Sequence, residues 1–329
     1  MKTRAARLKK WRNAAVAEAP PLSDYSKGAG GNLPAQWSES SGAEITVNAD
    51  AAYRVVQVAD LHLSATHDYH SDNWQRAAAW IAREAPDLVV VNGDLVLEDP
   101  DADADHAFAR GMLEKLPLPR RFLPGNHDIG DNVLFGKMAK RVNDERRARF
   151  LRHFGEERWA FEAAGWGFVG VNSQLFGSGG QQAEAEQWAW AEDSLRRYPG
   201  KPIALFTHKP LFLDHPSDPD HDDLTLRQSC IDRASRTRLL ALCQKHGVRL
   251  ISTGHKHQTR AFSLDGIYHI WAPSTACVNG RPDTLHWGTR EVGFIDYRFT
   301  PDGFTHRVVG ADFLFRHENY IRKLGASGG

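Results

Sequence analysis

Between residues 53 and 257 the chain uses one device five times: a short run of Val, Ile, Leu and Phe that stops on aspartate, asparagine or histidine. "YRVVQVADLH" closes on Asp60 and His62, and "DLVVVNGD" on Asp94. "RRFLPGNHD" closes on Asn126, His127 and Asp128, "PIALFTH" on His208, and "VRLISTGHKH" on His255 and His257. Short apolar runs rich in β-branched residues read as strands. Those at 53–59, 87–92, 202–207 and 248–253 are apolar almost throughout, as strands buried on both faces are. Runs at 120–124, 167–172 and 268–273 complete the set. Between them lie stretches of helical period at 71–86, 184–200 and 235–247. In the first, Ser71 or Asp72 stands where a cap belongs, Trp74, Ala77, Ala78 and Ile81 share a face, and Pro86 stops the helix. Trp188, Trp190 and Leu195 read as packing residues of the second. Such alternation layers helices on sheets, an α/β fold. Loops at the carboxyl ends of its strands converge on one edge, so five clusters far apart in sequence can meet in one place.

The residue types point to one chemistry. Asp60, His62, Asp94, Asn126, His208, His255 and His257 offer carboxylate, amide and imidazole ligands without a thiolate, a set suited to Mn, Fe or Zn. They are too many for one ion and enough for two divalent ions joined by a carboxylate. Asp94, following Gly93, is the candidate bridge, the glycine leaving room for metals beside the backbone. Two such ions, two aspartates and one hydroxide leave about one positive charge. That remainder attracts a phosphoryl oxyanion.

The ordered blocks "DLH", "NGDL", "GNHD", "THKP" and "GHKH" resemble the calcineurin-like metallophosphoesterase pattern D-x-H, G-D, G-N-H-D/E, H, G-H-x-H, across residues 60–257. The resemblance implies a four-layer α/β/β/α sandwich in a single domain and hydrolysis of an ester bond. It implies a metal-bound hydroxide as nucleophile, with no covalent enzyme intermediate. It places Asp60, His62 and His257 on one metal, Asn126, His208 and His255 on the other, and Asp94 between them. His127 would protonate the leaving group or stabilise the phosphoryl oxygens, with Asp128 orienting it. Purple acid phosphatases carry a tyrosine three residues after the bridging aspartate, where this chain has Leu97. "GNHDIGD" and "VNSQ" are similar to small protein-phosphatase-like members, whereas "GHKH" and "APST" are similar to bacterial cyclic-nucleotide phosphodiesterases. The charge remainder favours a diester over a monoester, and both stay open. A non-catalytic metal-binding scaffold is the alternative of another class.

The remaining features are weaker. "REVGFIDYRFTPDGFTHRVVG" alternates like a solvent-edged hairpin turning at "PDG". Asn172 and Ser173 are placed to buttress the site. His67, Asp68 and His70 follow the first cluster and offer one histidine to substrate, while Asp and Pro in 213–225, with His215 and His221, read as a solvated loop rather than a third metal site. Arg260, Arg281 and Arg290 are candidate phosphate readers. Cys230, Cys243 and Cys277 have no metal-type spacing and read as free thiols of a reducing compartment. The 41 basic and 41 acidic side chains cancel, so nothing global steers the chain toward nucleic acid, and no apolar run approaches a membrane span. The expectation is a cytoplasmic protein acting on a small phosphate ester. Residues 1–45 form a basic arm rich in Pro, Gly and Ser, a solubilising tail or an arm that docks on an anionic partner or on a second subunit of a homo-oligomer, ahead of a catalytic domain at 46–325.

Overall fold

The computed structural model of the chain describes residues 52–132, 141–179, 182–220, 224–278 and 287–318. The 1–45 arm, His221 and Arg281 lie outside them.

The extended runs become β1 (Tyr53–Val58), β2 (Leu88–Asn92) and β3 (Arg120–Leu123), then β4 (Trp159–Ala163), β5 (Trp166–Val171), β6 (Ile203–Thr207), β7 (Val248–Thr253), β8 (Arg260–Leu264) and β9 (Ile267–Trp271). The short β10 (Cys277–Val278), the hairpin strands β11 (Phe294–Thr300) and β12 (Gly303–Val309), and β13 (His317–Glu318) follow. One sheet has the order β12-β11-β1-β2-β3, the other β4-β5-β6-β7-β9-β8. Strands β1, β2 and β3 are parallel, as are β5, β6, β7 and β9. The hairpin turns where "PDG" predicts, but only β12 is at the edge: β11 pairs with β1 and is largely buried.

The helices are α1 (Ser71–Glu84), α2 (Asp103–Glu114), α3 (Asn126–Ile129), α4 (Asp144–Phe154), α5 (Gln182–Arg196), α6 (Leu224–Arg227) and α7 (Arg233–His246). Helix α1 starts at Ser71 after His70, and no side chain caps it, so neither Ser71 nor Asp72 does what the sequence suggests; Ala85 closes it in a left-handed conformation ahead of Pro86. Trp188 and Leu195 are core, while Trp190 is half-buried beneath the Arg158 guanidinium.

Alternate side chains of each strand face different layers. Val55, Val90, Phe168, Phe206, Leu250 and Ile295 fill the space between the two sheets. Val56, Val58, Val89 and Val91 pack against Trp74, Ile81, Leu113 and Phe150 of α1, α2 and α4. Val169, Leu205 and Ile251 pack against Leu195 and Leu239 of α5 and α7. The order is helices, sheet, sheet, helices: the four-layer α/β/β/α sandwich in one domain. Each fully buried Leu or Phe contributes about 1.5–3 kcal/mol, so the clusters holding the two sheets together are large in energy terms. Polar ties finish the join near the strand ends. Gln57 donates to the Thr253 carbonyl at 3.0 Å and Asn92 to the Thr207 carbonyl at 3.2 Å, both crossing from the first sheet to the second. These bonds fix the ends of β1 and β2 against those of β6 and β7, and the site stands there. Among the described residues no helix is long and apolar enough to cross a membrane.

Candidate dinuclear metal centre

The loops leaving β1, β2, β3, β6 and β7 bring the five sequence clusters together. Asp60, His62 and His257 form one group, and Asp94, His208 and His255 a second; a third triad of Asp94, His62 and His127 joins them. Within each, one potential ligand atom per residue lies within 4.8 Å of the others. His257 Nε2 is 3.3 Å from Asp60 Oδ1, and His208 Nε2 is 3.3 Å from Asp94 Oδ2 and 4.0 Å from Asp60 Oδ1. Residues expected at the two metals therefore stand side by side, and Asp94 groups with His62 from one set and with His208 and His255 from the other. Asn126 begins α3 beside them, its side-chain oxygen buried without a hydrogen-bond partner.

Backbone carbonyls orient the imidazoles. His62 Nδ1 donates to Leu97 O at 3.2 Å, His257 Nδ1 to Cys277 O at 3.0 Å, His208 Nδ1 to Asn92 O at 2.8 Å, and His255 Nε2 to Gln228 O at 3.1 Å. A carbonyl only accepts, so each outer nitrogen carries the proton, and in the neutral ring the inner nitrogen is a lone pair. The inner Nε2 atoms of His62 and His257 are 3.0 Å apart. Two lone pairs at that distance repel unless a proton or a cation lies between them. Two nitrogens bound to one ion at about 2.1 Å and at right angles would be about 3 Å apart. Asp60 Oδ1, Asn126 Oδ1, His208 Nε2 and His255 Nδ1 are all buried without a hydrogen-bond partner. Orphaned inward atoms of the expected ligands, each ring held from behind by a carbonyl, fit a pair of divalent ions.

Electrostatics agree with the geometry. Burial opposes charge on Asp94, but His127, His208 and His62 around it hold its carboxyl well below the usual carboxylate range. Burial likewise opposes charge on His208 and His257, yet Asp94 raises the first to about 9, and Cys277 and Asp60 raise the second to about 10. Burial and the neighbouring His208 push His255 well below its ordinary value. The pocket holds concentrated carboxylate charge that calls for cations.

Backbone strain marks the same residues. Asp60, His62, Asp94, His255 and His257 have φ of 54°, 49°, 52°, 68° and 49°. Left-handed conformations in non-glycine residues cost about 1 kcal/mol or more each and persist where the surroundings over-determine them. Glycines make the remaining room. A Cβ on Gly93 would overlap the ring of His208, and one on Gly125 would overlap the carboxylate of Asp94. Gly93 thus admits a ligand's imidazole, which replaces the expectation that it clears space for the ions themselves.

His127 stands partly exposed at the mouth, with Nδ1 2.7 Å from Leu97 O, its backbone N–H on Asp94 Oδ1 at 2.9 Å, and Nε2 3.8 Å from Asp94 Oδ2. Asp128 does not orient it, contrary to the sequence expectation. Both Asp128 oxygens accept backbone N–H groups instead, Oδ1 from Leu95 at 2.9 Å and Val96 at 3.1 Å, and Oδ2 from Gly125 at 2.7 Å. Burial and the charge of Asp94 push Asp128 up to about 7. It pins the loop after β2 to the loop after β3, and the orienting group for His127 is the Leu97 carbonyl, which His62 shares. A backbone acceptor has no residue-type signature, so the sequence could not announce it.

Other expectations sort cleanly. Asn172 accepts from Gln174 N and donates to buried Glu157, and Ser173 Oγ accepts from Lys209 N beside His208, so both buttress the site. His70 is buried behind His62, its Nδ1 3.3 Å from the His62 carbonyl, whereas His67 is exposed and bonded to Thr66. Arg236 gathers the 213–220 loop through the Pro216 and Asp218 carbonyls and Asp220. Arg260 binds the Leu213 carbonyl over Phe262 and Trp271, and Arg290 pairs with Glu318 at 2.7 Å, so both have structural partners. The three cysteines are unpaired and buried.

Comparisons with known proteins agree. Serine/threonine-protein phosphatase CPPED1 of Danio rerio is 26% identical over 239 residues, 70% of this chain and 70% of its own length. A probable cyclic nucleotide phosphodiesterase of Xenorhabdus bovienii is 26% identical over 270 residues, 76% of this chain and 96% of its own. A crystal structure of a dimetal phosphatase from Danio rerio superposes with a TM-score of 0.56 at 15% identity, over 79% of this chain and 96% of that one. The family description "calcineurin-like phosphoesterase" matches residues 53–259. Sequence, fold and clustered ligands lead to the same place: this chain belongs to the calcineurin-like phosphoesterases, hydrolases of phosphate esters.

Proposed function

We propose that the chain is a phosphodiesterase of small, cyclic-nucleotide-like esters, with Asp60, His62 and His257 holding one divalent ion, Asn126, His208 and His255 the other, and Asp94 both. The observation that carries this reading is the position of Asp94, whose carboxylate groups with His62 and His127 on one side and with His208 and His255 on the other. Ions bound there, Mn, Fe or Zn by donor type, supply Lewis acidity and activate water as the nucleophile. The chain's own residues do the rest. Backbone carbonyl and N–H contacts fix the ring planes and Asp94 before substrate arrives, so little reorganisation accompanies reaction. His127, anchored at Nδ1 and facing the centre with Nε2, is the group placed to give a proton to the leaving oxygen or to hold a phosphoryl oxygen.

A diester is favoured because its single negative charge matches a centre left with about one positive charge. The name of the Xenorhabdus relative, matched over 96% of its length, supports the same choice. The phosphatase name of the Danio relative supports a monoester as the second reading. A panel of monoesters, linear diesters and cyclic nucleotides, each assayed with Mn, Fe and Zn, decides between them. Cyclic or linear diesters are expected to turn over fastest; equal rates on all classes, or faster monoesters, overturn the preference. The cytoplasmic setting belongs to this proposal, as does association through residues 1–45, which light scattering of the chain with and without the arm would test.

A further inference from the structure

Lys256 lies between two of the site histidines, and several other sequestered cations of the fold have carboxylate partners. Lys209 pairs with Asp131 at 2.7 Å, Arg54 with Asp296 at 2.8 Å, Arg149 with Glu145 at 3.2 Å and Arg236 with Asp220 at 3.3 Å. Lys256 is half-buried, and among the described residues no carboxylate lies within ion-pairing distance of it. Its Nζ donates to Ser229 Oγ at 2.8 Å and stands 5.2 Å from the centre of the Trp287 ring. An ammonium has three N–H donors, and a hydroxyl and a ring face leave its charge without a counter-ion. Sequestering a charge in this way is costly unless an anion completes the site.

The support around Lys256 is built. Trp287 is held at both ends, its backbone N–H on Gln258 Oε1 at 2.8 Å and its indole N–H on Asp214 at 3.3 Å. Gln258 accepts from Gly288 N as well, at 2.9 Å. The segment supplying Ser229 also supplies the Gln228 carbonyl that orients His255, so ammonium and metal-site imidazole are referenced to the same stretch of backbone.

We propose that Lys256, steadied by Ser229 and Trp287, binds a second anionic group of the substrate, so that the ester cleaved at the centre carries another phosphate or carboxylate. This inference rests on the phosphoesterase reading, and its test needs no turnover. Calorimetry on the Mn-loaded chain compares thymidine 3′,5′-bisphosphate with thymidine 5′-phosphate. The bisphosphate is expected to bind more tightly, and Lys256→Met to reduce that preference by about tenfold, the value of one charge-assisted hydrogen bond. Lys256→Arg, which keeps the charge, should retain most of it. An unaltered chain that does not discriminate overturns the proposal. So does a Lys256→Met variant that keeps the preference within about twofold, or one that weakens both ligands equally, which would assign Lys256 to holding its loop. Hydrolysis of diesters by the unaltered chain can stand or fall separately.

Discussion

Replacing Asp94 by asparagine tests the shared carboxylate with little change of shape. The Asp94→Asn variant keeps an oxygen for the His127 backbone N–H, now accepted at 2.9 Å, while the charge facing His208 at 3.3 Å disappears. At about 4 Å and an effective dielectric of about 20, one carboxylate charge and one divalent ion attract by about 8 kcal/mol. Half of that is about a thousandfold in affinity. Because Asp94 groups with His62 on one side and with His208 and His255 on the other, both ions should be lost, not one. The assay is metal content by elemental analysis after gel filtration, paired with diester hydrolysis across a Mn titration. The expected result is less than one ion per chain and at least about a thousandfold lower kcat/KM at limiting metal. Two retained ions with activity within about tenfold of the unaltered chain would refute the shared-ligand reasoning.

His127→Ala separates chemistry from metal binding: metal content should be kept while kcat falls about 10²–10⁴-fold, and a parallel loss of metal would make His127 a ligand instead. Asp128→Ala strands the N–H groups of Gly125, Leu95 and Val96 in the interior, at about 1–3 kcal/mol each. Its Tm should fall by about 6 °C or more, and an unchanged Tm would show that the three bonds are dispensable. His269 gives a pH prediction away from the site. Burial, reinforced by Arg260, lowers it to about 3, and its ring stacks on Phe262 with Nε2 unpartnered. The unfolded chain takes up this proton below about pH 6.5 and the folded chain does not, so stability falls as pH drops through that range by about 1.4 kcal/mol per unit. Between pH 7 and 5, the unfolding free energy of His269→Phe from urea titration should fall by about 2 kcal/mol less than that of the unaltered chain, and equal losses would refute the assignment.

Much of this was legible in residue order because strand period and strand-end polarity are local properties. The seven apolar runs are strands in the structure, and the cluster residues sit where five of those strands stop. Helices α2 and α4 and strands β4 and β8 were harder to read. Helix α4, "DERRARFLRHF", buries only Arg149, Phe150 and Phe154, and β8 is nowhere fully buried. Segments that bury few apolar side chains acquire their structure from neighbours.

The sequence by itself determined which side chains could bind metal and that they lie at the ends of strands, and it made Asp94 the candidate to be shared. Only the tertiary structure decided how those side chains are held. It gave His127 to the Leu97 carbonyl and Asp128 to three backbone N–H groups, put the His208 ring in the space above Gly93, and left Lys256 without a carboxylate among the described residues. The physical reason is that ligand identity depends on side-chain type, which residue order states. Orientation depends on backbone donors and acceptors, which every residue carries alike and which only the fold brings into place.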